Sequence, residues 1–114
     1  MTLSKLKLSG STDGQQIKVV ATATAGTLLH TAVTGTSSLD EIWLWAVNNH
    51  SADVTLTIEY GGVAADDQIK VVVPFQAGFK QILPGVLLQN AKVVRAFASV
   101  ASVVNIQGFV NRIA

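Results

Sequence analysis

Two histidines, His30 and His50, and seven carboxylates are all that the chain offers for acid–base or metal chemistry. Cysteine is absent, which removes thiolate nucleophiles, thiolate metal sites and a disulfide framework. The histidines fall in different segments without a second ligand at metal-binding spacing, so His30 reads as a hydrogen-bonded strand residue and His50 as a turn residue. Asp66 and Asp67 could start a calcium loop, but the ligand series and its closing Glu are missing, and a solvated loop is the simpler reading. No serine stands in a G-x-S-x-G elbow and no glycine pattern fits a phosphate or dinucleotide loop. Asp40 and Glu41 are strand neighbours that point to opposite faces, which does not suit a glycosidase pair. Trp43 and Trp45 could stack on sugar rings if exposed; their apolar cross-strand neighbours favour core packing instead. No catalytic residue, metal or cofactor is therefore expected.

The elements that position these residues centre on residues 40–62, read as a β-hairpin closed at Asn48-Asn49-His50-Ser51. Val54, Leu56, Ile58 and Tyr60 alternate with Asp53, Thr55, Thr57 and Glu59, the period of a strand with one dry face. The strand before it is apolar on both faces. With the turn at His50-Ser51, Trp43, Trp45 and Val47 share a face with Leu56 and Ile58, and that face is the expected core. Ile42, Leu44 and Ala46 then lie beside Thr55, Thr57 and Glu59 on an outer row too apolar for ordinary solvent contact. Ile42, Leu44, Ala46, Thr55 and Thr57 are the expected oligomer or partner interface. This assignment predicts that Leu44→Asp leaves the monomer folded and that Trp45→Asp prevents folding. A slip of one residue exchanges the two rows.

Around this hairpin, residues 3–8 form a strand guarded by Lys5 and Lys7, and residues 1–14 serve either as that edge or as an arm pairing with another subunit. Residues 15–24, 27–33, 68–73 and 79–83 read as strands, the last stopped by a Pro84-Gly85 turn. Residues 92–99 also fit helical spacing, but their β-branched density predicts strand, and a final strand covers 103–113. The fold class is all-β: an antiparallel sandwich or jelly roll of about eight to ten short strands, with a small closed barrel second. No internal repeat or linker divides residues 1–114, so a single domain is expected.

Composition narrows the function. Charged residues make up 13% of the chain and hydrophobic residues 49%, where about 25% charged is usual. So few charges suit a subunit that loses surface to neighbours, a homo-oligomer rather than a lone monomer. A net charge of +1 without a basic stripe argues against nucleic acid as the main partner. No run approaches the about 18 apolar residues of a membrane span, and the N-terminus lacks a signal-like apolar stretch, which predicts folding in the cytoplasm. Asn49-His50-Ser51 matches a glycosylation sequon, which its turn chemistry explains equally well.

Several segments together resemble one family. Gly26-Thr27-Leu28-Leu29-His30-Thr31-Ala32, Asp40-Glu41-Ile42-Trp43-Leu44-Trp45-Ala46-Val47-Asn48, Leu56-Thr57-Ile58-Glu59-Tyr60-Gly61-Gly62, Leu83-Pro84-Gly85 and Ile106-Gln107-Gly108-Phe109-Val110-Asn111-Arg112-Ile113 are similar to the small head decoration, or capsid cement, proteins of tailed bacteriophages. The resemblance spans residues 26–113 and rests on strand vocabulary. It implies a trimeric β-sandwich on the outer surface of the virion, folded in the host cytoplasm and bound to the major capsid protein, without carried-over functional residues. The competing class is a carbohydrate-binding jelly roll of a phage fibre or spike, with Trp43 or Trp45 exposed. An enzyme built on His30 or His50 is the weakest reading.

Overall fold

The computed structural model describes residues 2–114, so Met1 lies outside the described residues. Nine strands carry almost all of the regular structure: β1 (Leu3–Lys7), β2 (Ile17–Lys18), β3 (Thr27–Thr31), β4 (Leu39–Asn48), β5 (Val54–Tyr60), β6 (Gln68–Val73), β7 (Lys80–Leu88), β8 (Val93–Ala98) and β9 (Val104–Ile113). They form two antiparallel sheets packed as a sandwich. Sheet A has the order β1-β9-β4-β7, with β2 also pairing β9, and sheet B the order β3-β8-β5-β6. The expected all-β sandwich is what the chain forms. Residues 92–99 hold a strand, β8, in which Val94, Ala96 and Ala98 turn inward.

The central hairpin is not formed, because β4 and β5 belong to different sheets. β4 pairs with β7 and β9, and β5 with β6 and β8. The segment between them is a corner organised by Asn48, whose buried side chain donates to the Ala52 and Val73 carbonyls at 3.0 and 2.8 Å and accepts from the His50 N–H at 2.8 Å. A side chain that satisfies three backbone groups holds the chain open where a tight turn would fold it back into one sheet.

The two rows of β4 are exchanged relative to expectation. Ile42, Leu44 and Ala46 are fully buried in the core, and Trp43 and Trp45 are half-buried on the outer face of sheet A. Leu56 and Ile58 do belong to the core, as expected, and with Ile42, Leu44, Leu29 and Ile106 they fill the space between the sheets. Each such side chain contributes about 1.5–3 kcal/mol by leaving water. The sequence pattern misleads because Ile42 shares its row with Asp40 and Asn48, polar residues satisfied in part by distant groups, Arg112 and the Val73 carbonyl. The inward row is also thinned by Gly108, opposite Leu44, where a Cβ would stand 2.1 Å from the Trp43 carbonyl oxygen. β9 and β4 therefore approach too closely there for any side chain on the glycine.

Two further expectations change. β7 runs through Pro84-Gly85 rather than stopping there. Among the described residues it pairs with β4 alone, so it is an edge strand, where a proline is tolerated, and a bulge with Gly85 at φ +76° takes up the extra residue. Of residues 15–24 only Ile17–Lys18 is strand. Residues 24–26 cross outside β8, where Gly26 lies against the Ala96 backbone and Glu59 of β5 accepts from the Thr24 hydroxyl and, at 2.6 Å, from the Gly26 N–H. β1 pairs with β9 of its own chain, from Leu3 opposite Ile113 to Lys7 opposite Phe109. Lys5 and Lys7 thus sit on an outermost strand, as a guarded edge requires.

Candidate functional site: an outer aromatic face and an open apolar side

His30 is buried, and its ring is held at both nitrogens. The Ser9 N–H donates to Nδ1 at 3.0 Å, which leaves the ring proton on Nε2, 2.8 Å from Asp40 Oδ2. Arg112 donates to the same carboxylate through Nε (2.8 Å to Oδ1) and Nη2 (3.0 Å to Oδ2), and the Val33 N–H adds a fourth donor. Burial alone would raise the Asp40 pKa, but the hydrogen bonds from Arg112 and His30, with the Arg112 charge, hold it below the usual carboxylate value. The Arg112 pKa is raised in turn, by its hydrogen bond to Asp40. This cluster joins β3 of sheet B to β4 and β9 of sheet A. With no free ring nitrogen His30 has no base to offer, and its role is that of a satisfied strand histidine.

His50 lies past the opposite end of β4, roughly 25 Å of strand away from Asp40. Asp66 and Asp67 sit in a single 3-10 turn, Ala65–Asp67, and no group of three or more His, Asp or Glu side chains at metal-binding distance occurs among the described residues. Of the expected interface, Thr55 is exposed, Thr57 is buried on the outer side of sheet B, and Ile42, Leu44 and Ala46 are interior. They do not form one surface.

The outer face of sheet A is where the tryptophans meet. Trp43, Trp45 and Phe109 form a triangle with ring centroids 6.3, 6.0 and 5.9 Å apart and planes within 25° of parallel. Near-parallel rings at that spacing overlap with an offset, the favoured arrangement for aromatic pairs. Trp43 lies over Gly85, where a Cβ would come within 2.8 Å of its ring, so the bulge in β7 makes room for the indole. Its Nε1–H donates to Glu41 Oε1 at 2.6 Å and Asn111 Nδ2 donates to the same oxygen at 3.0 Å. Those two hydrogen bonds, Asn111 first, hold the Glu41 carboxyl below its ordinary pKa. Lys5 Nζ stands 4.8 Å from the Phe109 centroid. Beside this cluster Trp45, Phe79 and Gln107 line an open hollow of about 250 Å³.

A second surface was not anticipated. β6, β7 and the turn at 74–79 expose Ile69, Val72, Phe75, Phe79, Val86 and Leu87, six of the ten large apolar side chains that are exposed among the described residues. Val72 and Leu87 are 53% and 49% exposed. Both strands end their sheets, so their outer backbone edges have no strand partner. Tyr60 ties the sheets together here: its hydroxyl donates to the Leu87 carbonyl at 2.9 Å, and burial pushes its pKa up to about 12. Phe75 and Phe79 beside Pro74 and Gly78 were a legible signal, since large apolar residues in a turn have nothing local to bury them.

No family model, curated protein or solved structure matches the chain.

Proposed function

We propose that the protein is a non-enzymatic virion structural subunit, a capsid decoration protein that self-associates as a trimer and binds the major capsid protein on the outside of a phage head. The observation that carries this reading is the concentration of exposed apolar side chains on two neighbouring edge strands, β6 and β7. Exposed apolar side chains gathered on unpaired sheet edges mark contact with another protein. The low charge of the chain and the resemblance of residues 26–113 to cement proteins agree with it. A subunit that binds only the assembled lattice stabilises it by mass action, and three linked contacts outlast any single one.

Co-sedimentation with heads lacking their decoration protein tests the proposal. The unmodified chain should pellet with such heads, and Val72→Asp should stay in solution. Failure of the unmodified chain to bind any head contradicts the reading. A second reading, a carbohydrate-binding module of a fibre or spike, is favoured by the placement of Trp43 and Trp45 outside the core.

A further inference from the structure

We infer that residues 8–11 form a strap latched over the edge of sheet B by neutral His30, and that protonation of His30 releases it. The inference is independent of the decoration reading and concerns the opposite side of the molecule. β3 is an end strand of sheet B, so its outer backbone edge needs cover. The strap supplies it. The Gly10 N–H donates to the Leu29 carbonyl at 2.9 Å, the Ser9 hydroxyl accepts from the Thr31 N–H at 2.7 Å, and the Ser9 N–H donates to His30 Nδ1 at 3.0 Å. Leu8 is buried and anchors the start of the strap.

The contact with His30 depends on one lone pair. An imidazolium carries an N–H on both nitrogens and has no acceptor, so a second proton on the ring sets two donors face to face and the Ser9 bond must break. The Nε2 side is held. Asp40 stands 2.8 Å from it and keeps its charge, because burial, which would raise its pKa, is outweighed by the hydrogen bonds from Arg112 and His30 that hold it below the usual value of 3.8. Arg112 binds the same carboxylate from β9. β8 sets Val94 opposite His30, and its Arg95 donates to the Gly26 carbonyl, while Lys7 of β1 and Lys92, just before β8, are exposed. The charge around the ring is therefore set by Asp40 and Arg112. A proton taken up by His30 acts on one side only: the imidazolium keeps Asp40 and loses Ser9. The open strap binds one proton more than the closed strap, so falling pH favours opening. As Ser9 leaves, its hydroxyl leaves the Thr31 N–H, and the β3 edge is free to pair with another chain.

The test is an NMR titration of the full, isotope-labelled chain from about pH 8 to about pH 4, a range in which imidazoles titrate and Asp40 stays ionised. The ring nitrogens of His30 report its protonation. Hydrogen exchange, corrected for the intrinsic effect of pH, reports the Ser9, Gly10 and Thr31 amides. In the neutral state Nδ1 should carry no proton and Nε2 should carry one. As His30 takes up its proton, the three amides should lose protection about tenfold, the weight of one hydrogen bond, with the same midpoint as the ring signals. Ile42 and Val110, paired across β4 and β9, should keep theirs. In His30→Gln, whose side chain does not titrate, the strap should show no such step. The inference is overturned if His30 charges while the strap stays protected, if the strap opens with a different midpoint, or if His30 stays neutral across the range. The parent titration decides even where the variant does not fold.

Discussion

Along one side of the sandwich, residues 8–11 cross from β1 to β3 and stitch the sheets together: the Gly10 N–H donates to the Leu29 carbonyl, the Thr31 N–H to the Ser9 hydroxyl and the Ser9 N–H to His30. Behind that seam Asp40 and Arg112 complete a polar cluster in which every buried side-chain atom has a partner. Along the other side, a turn joins β6 to β7, the Tyr60–Leu87 hydrogen bond links β5 to β7, and the two edge strands leave apolar side chains in water. The contrast is instructive. The closed side buries Asp40 in its ion pair with Arg112, and the open side leaves large apolar side chains exposed.

The largest effect expected separates the interior from both sides. Leu44→Asp places an unpaired charge at a fully buried position, a cost of several kcal/mol against a total stability of about 5–15 kcal/mol. It should abolish the cooperative melting transition. Trp45→Asp should still fold, losing about 1–2 kcal/mol of aromatic contact on the outer face. This is the reverse of what the hairpin reading predicts for the same pair, and thermal denaturation followed by circular dichroism decides between them.

On the closed side, Asp40→Asn leaves Arg112 and His30 without their carboxylate and should cost about 3–5 kcal/mol in urea denaturation. The same residue sets the acid limb. Because its folded pKa lies below the usual value of 3.8, its contribution is complete above that value and is lost as the pH falls through the lower folded one. Stability of the parent should fall in that window below about pH 4, and the Asp40→Asn variant should lack this component of the fall. An identical acid limb in both proteins would show that the cluster does not hold the closed side.

On the open side, Gly85→Ala forces a Cβ against the Trp43 ring at a positive φ and should cost about 1–3 kcal/mol. A neutral result would mean that the indole does not depend on the bulge in β7.

Most of the strands were legible because period-two alternation survives wherever one face of a strand is wet. β5 follows it closely, whereas β8 was legible through its β-branched residues. β4 breaks the alternation, since both its rows are apolar, and the choice between them turns on Asp40 and Asn48. Besides nearer partners in His30, Val33, His50 and Ala52, they bind Arg112 and the Val73 carbonyl, 72 and 25 residues away and beyond any local pattern. Pro84-Gly85 resembled a stop because a proline is tolerated inside a strand only at an edge, and edge position is a property of the whole sheet. The aromatic face was half legible. Trp43 and Trp45 drew notice at once, but Phe109, Phe79 and Gln107 join them only through the pairing of β4 with β7 and β9.

The claim that the open side is an assembly surface is tested most directly by sedimentation equilibrium of the parent chain and of Val72→Asp at micromolar concentration. Val72 is exposed and outward-facing, so its substitution should change folding stability by no more than about 0.5 kcal/mol. A trimer is predicted for the parent and a folded monomer for the variant. A monomeric parent, or a variant that associates as the parent does, would contradict the claim.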